Sequence, residues 1–546
     1  MEAIETVVGY HVVTKHHFHA YARSLGYLDW ASQPDPFRRF SEAELHLLPL
    51  TGDDHSPAYD SVFTSGAVES RPLSLETLGS LFEHSLALSA WKQFQGERWA
   101  LRCNPSSGNL HPTEGYILVD ALEGLRDRPA AYHYAPKEHG LECRTEIDPG
   151  VWKTLAAGFP PGTFFAGLSS IHWREAWKYG ERAYRYCQQD VGHALAALCI
   201  AAAMNGWPCV LLDGLGDAHV AALLGLDRAA DFEGAEAEHP DLLLAVLPGP
   251  PGQPVPRTLP AVSMRDAHWH GRANALSREH VDWQAIEAVV PACVKPAVEV
   301  EARALSLPGP PPAHVRNLSA RRIVRQRRSA VAMDGETELA RDFFYGMLAR
   351  TMPREGRVPW DALAEPPALH LGLFVHRVHD LAPGLYVLPR RPEAERALRK
   401  AMRQGFLWEK PASCPDALPL YTLQLGDYRE AAAVASCHQD IAGDGAFSLG
   451  MLAEFEESLE HYGPWYYRHL FWEAGMIGQV LYLEAEAAGL RATGMGCYFD
   501  EPVHALFGLT DLRFQSMYHF TVGGPVEDPR LSTQPPYSEE RRRLPL

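Results

Sequence analysis

The sequence has no Cys-x-x-C pair, no Gly-x-Gly-x-x-Gly run and no apolar stretch long enough to cross a bilayer. Its nine cysteines are scattered and odd in number, which argues against a disulfide framework and a zinc module. They read as small buried hydrophobes. No Cys/His spacing supports a metal site, and His16, His17 and His19 read as a solvated cluster in a polar lead. The apolar run Ala194–Ala203 is too short for a membrane span. Positive charge is also scarce: 50 Lys and Arg face 68 Asp and Glu, so the net charge of −18 argues against nucleic-acid binding. Met1–His11 shows no basic patch followed by an apolar core, so no secretory signal is read and a cytoplasmic protein is expected.

What is present is a repeat. Tyr184-Arg185, Gly192, Gly206 and Gly225-Leu226 recur as Tyr467-Arg468, Gly475, Gly489 and Gly508-Leu509, each 283 positions later. Lys178-Tyr179-Gly180 faces His461-Tyr462-Gly463 at the same offset. That spacing is far longer than a solenoid period and indicates two copies of a whole domain. The expected arrangement is an intramolecular pseudo-dimer, either monomeric or further dimerised, and cofactors often sit between such copies.

Composition shifts divide the chain. Residues 1–65 read as an irregular lead, 66–250 as the first domain and 251–320 as a Pro/Gly-rich connector (PGPPGQPVP at 248–256, PGPPP at 308–312). The second domain is expected over 321–535, with a tail at 536–546. Ser277 is a candidate cap for a short connector helix through Val290. Both copies show the same order: helices at Ser74–Ala90 and Thr337–Thr351, then strands at Gly115–Val119 and Leu369–Val375. Shorter strands follow at Ala131–Tyr134 and Leu385–Leu388. Long helices at Arg182–Asn205 and Phe471–Ala488 are apolar nearly all round and therefore central. Strands at Leu242–Leu247 and Ser516–Val522 close each copy. The fold class is α+β, a sheet flanked by helices.

Three segments carry candidate chemistry. Arg102-Cys103-Asn104-Pro105-Ser106-Ser107-Gly108-Asn109 offers hydroxyls, a carboxamide and a flexible glycine in one loop, but turn residues alone would read the same way. Arg327-Arg328-Ser329 suits a phosphate through its guanidinium forks, yet RRIVRQRRS is also a plain charge run beside a linker. Lys178-Tyr179 can move a proton if both reach one site; a surface lysine beside a packed tyrosine is the simpler alternative.

Together these residues resemble the nitroreductase superfamily of FMN-dependent oxidoreductases. The branch they resemble is the SagB/ThcOx-type peptide-azoline dehydrogenases. The matching pieces are RCNPSSGNLHP at 102–112, WKYGERAYRYCQQDVGH at 177–193, RRS at 327–329 and EAGMIGQVLYLEAEAAGL…GMGC at 473–497. The resemblance implies FMN sites straddling a dimer interface, and here the pieces are divided between the copies. It implies one composite FMN site: Arg102, Pro105, Ser106, Ser107 and Asn109 from the first copy, with Lys178 and Tyr179 catalytic on the substrate side. The second copy would supply Arg327, Arg328, Ser329, the Gly496-Cys497 backbone and Arg530 as a further phosphate partner. Cys497 reads as a backbone contact or packing residue, not a redox thiol, and His193 as a core histidine. Val331 stands where many relatives carry another arginine. The opposite site, lacking both phosphate clamp and hydroxyl loop, is expected to be vestigial. The implied substrate is a peptide azoline or small heterocycle, with oxygen as acceptor. The alternatives are an NAD(P)H-dependent nitro or quinone reductase, and a non-catalytic scaffold of a peptide-modification complex.

Overall fold

The computed structural model describes residues 2–51, 56–249, 254–264, 267–300, 318–354 and 356–538. The PGPPP segment, part of PGPPGQPVP and most of the tail lie outside them. Two antiparallel sheets dominate. The first has seven strands, in the order 44–47, 140–146, 130–135, 113–119, 164–170, 239–246, 209–211. The second has six, in the order 421–425, 384–388, 369–375, 447–454, 514–523, 491–495. The two orders match strand for strand, apart from the extra edge strand of the first.

The repeat seen in the sequence is a repeat of elements. Strands Phe164–Ser170 and Phe447–Glu454 begin 283 residues apart, as do helices His172–Tyr179 and Phe455–Tyr462. The same holds for central helices Ala183–Ala203 and Tyr466–Ala487, and for helices Asp217–Leu224 and Asp500–Phe507. The last pair each ends on a left-handed glycine, Gly225 or Gly508, which removes the Cβ penalty of that conformation.

The central helices cross at Gly192 and Gly475. A methyl on Gly192 would stand 2.8 Å from Trp472 Cα and C, and one on Gly475 2.8 Å from Gly192 Cα. Reciprocal buried ion pairs flank the crossing: Arg185 reaches Asp500 (3.2 Å) and Arg468 reaches Asp217 (2.8 Å). Chain ends exchange across the interface as well. Helix Glu2–Val13 buries Tyr10 and His11, and His11 hydrogen-bonds Tyr467 and Gln515 of the second half (3.2 Å each). From the other end, strand Ser532–Gln534 pairs with Leu88–Phe94 of the first half.

Several expectations are corrected. The lead is not irregular: it opens on that helix and supplies the edge strand Glu44–Leu47. The helix capped by Ser74 ends at Glu83, not Ala90, because Leu88–Phe94 and Glu97–Arg102 form a hairpin. Its turn residues Gln95 and Gly96 both have positive φ (49° and 94°), the backbone a tight hairpin requires. In the connector the helix runs over Gln284–Ala292. Ser277 caps nothing there; it accepts from Trp173 Nε1 (2.7 Å), and its backbone N–H binds Glu236 (2.9 Å).

Candidate functional site

A cavity of about 850 Å³ lies where the two halves meet. From the first half it is lined by Arg102, Pro105, Ser106, Ser107, Asn109 and Tyr179; from the second by Arg327, Arg328, Ser329, Gly496 and Cys497. Residues 225 positions apart in sequence are joined directly, for Arg327 donates to the Arg102 carbonyl at 2.9 Å.

The hydroxyl loop is held from below. Ser107 donates its backbone N–H (3.1 Å) and its hydroxyl (3.1 Å) to Asp190, on the buried central helix. Burial pushes the Asp190 carboxyl up to about 7 despite bonds from Ser106 and Ser107. Glu175, one helix earlier, is raised well above its ordinary value by burial and then by Asp190. Neither Glu175 oxygen has a hydrogen-bond partner among the described residues. Asn109 donates to the Ala100 carbonyl (2.8 Å) and meets His111 (3.0 Å). Arg102 turns inward to the Thr113 and Pro36 carbonyls, and burial lowers it to about 10.

Gly108 explains how Lys178 and Tyr179 both reach this loop. It has φ of 58°, and a Cβ there would lie 2.6 Å from the Tyr179 hydroxyl and 3.2 Å from Lys178 Nζ. Burial, then the Glu175 charge, raises the Tyr179 phenol well above its ordinary value. That phenol keeps its proton at neutral pH.

On the opposite wall, Arg327 and Arg328 bond carbonyls rather than carboxylates: Arg328 donates to Arg325 (2.9 Å) and Ser89 (3.1 Å). Burial and then the Arg327 charge lower Arg328 to about 10, a cost that a bound anion would offset. Ser329 pairs with the Tyr482 hydroxyl (2.9 Å). Arg327 Nε, His111 Nδ1, Asn104 Oδ1 and His193 Nδ1 are buried at the lining without hydrogen-bond partners among the described residues. His193 contacts Tyr518 (3.3 Å), and burial lowers it to about 3, so it is neutral.

Arg530 is not brought to the cavity. Its guanidinium pairs with Asp528 (2.8 Å), and its side chain is 71% exposed. Val331 is likewise exposed, at 78%. Sequence reasoning missed Asp190, Glu175, Tyr186, Gln439 and Arg491. Asp190 and Glu175 had a readable signal, since a carboxylate on a helix buried all round needs a partner or a proton.

At the counterpart position the connector fills the space. Asp213-Gly214 aligns with Gly496-Cys497, and Arg257 donates to Asp213 (3.2 Å) while Lys295 donates to the Asp213 and Leu215 carbonyls. The Gly214 backbone is consumed by Arg257 (2.9 Å) and Val298 (3.1 Å). No group of three His, Cys, Asp or Glu side chains among the described residues is arranged to hold a metal. No helix among them is long and apolar enough to cross a membrane.

Two fused α+β domains sharing a cavity at their interface define the class: a single-chain pseudo-dimer. The nitroreductase family profile matches residues 67–235 and 384–524, and the chain belongs to the nitroreductase family, whose members are oxidoreductases. A crystal structure of an Anabaena variabilis protein assigned to the nitroreductases is similar over 95% of this chain and 99% of its own. The identity is 21% and the TM-score 0.68, a likeness of fold. The E. coli microcin synthetase McbBCD complex with truncated pro-MccB17 bound aligns over 45% of this chain and 92% of its own (18% identity, TM-score 0.26). An FMN-dependent nitroreductase from Clostridium difficile aligns over 39% and 90% (10% identity, TM-score 0.22). No curated protein matches the chain.

Proposed function

We propose that the cavity holds FMN and that the chain is an FMN-dependent oxidoreductase acting on a peptide azoline or small heterocycle. The observation that carries this reading is the division of the walls. The hydroxyl loop comes from one half and two guanidiniums with no carboxylate partner among the described residues from the other, around a volume ordinary for a cofactor site. Arg327, Arg328 and Ser329 would hold the phosphate. Ser106, Ser107 and Asn109, with the Gly496 and Cys497 backbone, would meet the ring and ribityl groups; the partnerless polar atoms of the lining suit such a ligand. FMN supplies two-electron chemistry that side chains cannot. The chain's own work is proton handling: Tyr179 donates, Lys178 lies beside it, and Asp190 can exchange a proton through Ser107 near neutral pH.

The azoline assignment rests on the 102–112 and 177–193 segments and their resemblance to the azoline dehydrogenases. The family match equally favours an NAD(P)H-dependent nitro or quinone reductase. A substrate screen with anaerobic flavin spectra separates them: bleaching by an azoline peptide supports the first, bleaching only by NAD(P)H the second.

Reconstitution with excess FMN, followed by flavin quantification per chain, tests the site. One FMN per chain is expected. Two would overturn the composite-site reading, and none would leave the scaffold. With FMN bound, exchanging Lys178 and Tyr179 for Ala and Phe should cut turnover about 100-fold, the usual weight of a positioned proton donor. Unchanged turnover would remove both from catalysis.

A further inference from the structure

Seven of the nine cysteines are buried, and the two that are not, Cys437 and Cys497, lie side by side. They come from separate elements, and two bonds lace those elements together. Phe499 N–H donates to the Ala435 carbonyl (2.8 Å), and Gln439 Nε2 donates to the Cys497 carbonyl (2.9 Å). Between these bonds Cys437 and His438 adopt φ of 56° and 58°. The left-handed region is costly for non-glycine residues, and such conformations cluster at functional sites. The two bonds bracket the cysteines, since Ala435 lies two residues before Cys437 and Phe499 two residues after Cys497, so the segments run past each other with Cys437 opposite Cys497.

Their surroundings suit sulfur chemistry. His16 is folded beneath them by the N-terminal lead, and its Nδ1 accepts from Ala22 N–H (2.9 Å). The ring proton therefore sits on Nε2, burial keeps the ring neutral, and the His16 backbone is bridged to Phe499, two residues from Cys497. Arg182 binds the Gly496 carbonyl (3.1 Å) and adds positive charge, partly offset by Asp500 at 3.3 Å. Tyr21 of the lead packs on the His16 and Phe499 rings (centroids 5.0 and 5.6 Å apart). Cys437, with His16 and Arg182, outweighs burial and lowers the Cys497 thiol below its ordinary value. Cys497 and burial together hold the Cys437 proton tightly. At pH 6.5 an ordinary thiol is only about 1% thiolate.

Against the sequence reading of Cys497 as a packing residue, we propose that Cys437 and Cys497 form a redox-active dithiol site for low-molecular-weight disulfides, closing into an intramolecular disulfide at the edge of the cavity. The Cys497 thiolate attacks one sulfur of the small disulfide, forming a mixed disulfide and releasing one thiolate, which takes up a proton. Cys437 then gives up its proton and attacks Cys497 Sγ, releasing the second thiol. Two electrons and two protons pass from the cysteine pair to the small disulfide, which leaves as two thiols. A small-molecule dithiol reverses the reaction. The exchange needs no flavin and stands apart from the FMN reading.

The test uses the full chain, with and without FMN, equilibrated in graded mixtures of oxidised and reduced glutathione. Samples are then quenched in acid, denatured, alkylated and mapped by mass spectrometry. The expected result at the oxidising end is a Cys437–Cys497 cross-link with seven cysteines still alkylated. Early time points should show glutathione on Cys497 and not on Cys437. Cys437→Ser should trap the mixed disulfide on Cys497, and His16→Ala should slow Cys497 alkylation at pH 6.5 about tenfold, following the lost thiolate. No cross-link at any ratio in the unmodified chain overturns the proposal, as does modification that begins at Cys437. The mapping needs no variant, so a misfolded substitution cannot obscure it.

Discussion

Replacing Gly192 by alanine tests whether the close crossing of the central helices sets the geometry of the cavity. On helix propensity alone the change should stabilise, by about 1 kcal/mol. The crossing opposes it. The new methyl would lie 2.8 Å from two backbone carbons of Trp472 and closer still to its carbonyl oxygen, whereas carbon atoms prefer about 3.5–4.0 Å. The obstacle is backbone, so the helices must separate by about 0.7 Å or more. Overpacking of this kind costs about 1–3 kcal/mol when side chains can yield, and here they cannot. A cost near the upper end leaves a net loss of about 2 kcal/mol, or roughly 4–8 °C in melting midpoint for a unit the size of each half. Gly346 is the control: it lies in helix Arg341–Thr351 with nothing within 4 Å of a built Cβ, so Gly346→Ala should raise the midpoint. Calorimetry at one scan rate reads both variants. A Gly192→Ala protein melting at or above the parent would refute the crossing as the organising contact. Asp190 lies two residues before Gly192, so the destabilised variant should also release FMN faster.

Other expectations follow from buried charge. Burial alone would raise the Asp500 carboxyl, but Arg182 and Arg185 hold it well below the carboxylate range. Asp500→Asn leaves both guanidiniums buried without compensation and should cost about 3–5 kcal/mol in denaturant unfolding; a loss below 1 kcal/mol would contradict this. Asp190 has the opposite sign. Its folded-state value is raised, so its contribution is complete below about pH 4 and is lost as pH rises through about 7. Three units at about 1.4 kcal/mol each bound that loss near 4 kcal/mol. Asp190→Asn should flatten the decline in urea midpoint between pH 5 and 8, and an unchanged slope would reassign it to other groups. In flavin fluorescence titrations, Arg327→Ala and Arg328→Ala should each weaken FMN binding about 10- to 100-fold. Arg530→Ala should change it less than about threefold, since the Arg530 side chain is exposed and already paired with Asp528 at the cavity rim.

The duplication was legible because insertions have not shifted the middle of either copy. Strand, helix, central helix and capping glycine all recur at one offset, and the buried Arg185 and Arg468 stood in the first pair that revealed it. Convergence of the PSSGN and Arg-Arg-Ser segments came from resemblance, since no local pattern links positions over 200 residues apart. The hairpin after Glu83 was hidden because its first strand continues the apolar character of the preceding helix; only Gln95-Gly96 marks the turn. The pairing of Cys437 with Cys497 was invisible for a different reason. It depends on two left-handed residues after helix Arg429–Ala435, and neither cysteine carries a recognisable spacing.

Fusion accounts for the asymmetry between the two interfacial positions. In a homodimer an isologous interface repeats every substitution twice, so closing one site closes both. With the copies in one chain, the segment between them can enter one position and leave the other open. Residues 257–258 and 295–297 do this by backbone contact: a Cβ on Gly214 would meet Arg257 and Thr258, and one on Gly216 would meet Lys295, Pro296 and Ala297. Burial, with Glu365 nearby, pushes Asp213 up to about 7, while burial lowers Lys295 to about 8. The plug therefore carries two buried polar side chains, Arg257 and Lys295, that a wholly apolar filler would avoid. Lys295 donates to the Asp213 and Leu215 carbonyls, and Arg257 to the Asp213 carboxylate and the Leu211 carbonyl, in the segment equivalent to the one that faces the cavity in the second copy. The connector thus satisfies at one position the kind of backbone groups that remain available to a ligand at the other.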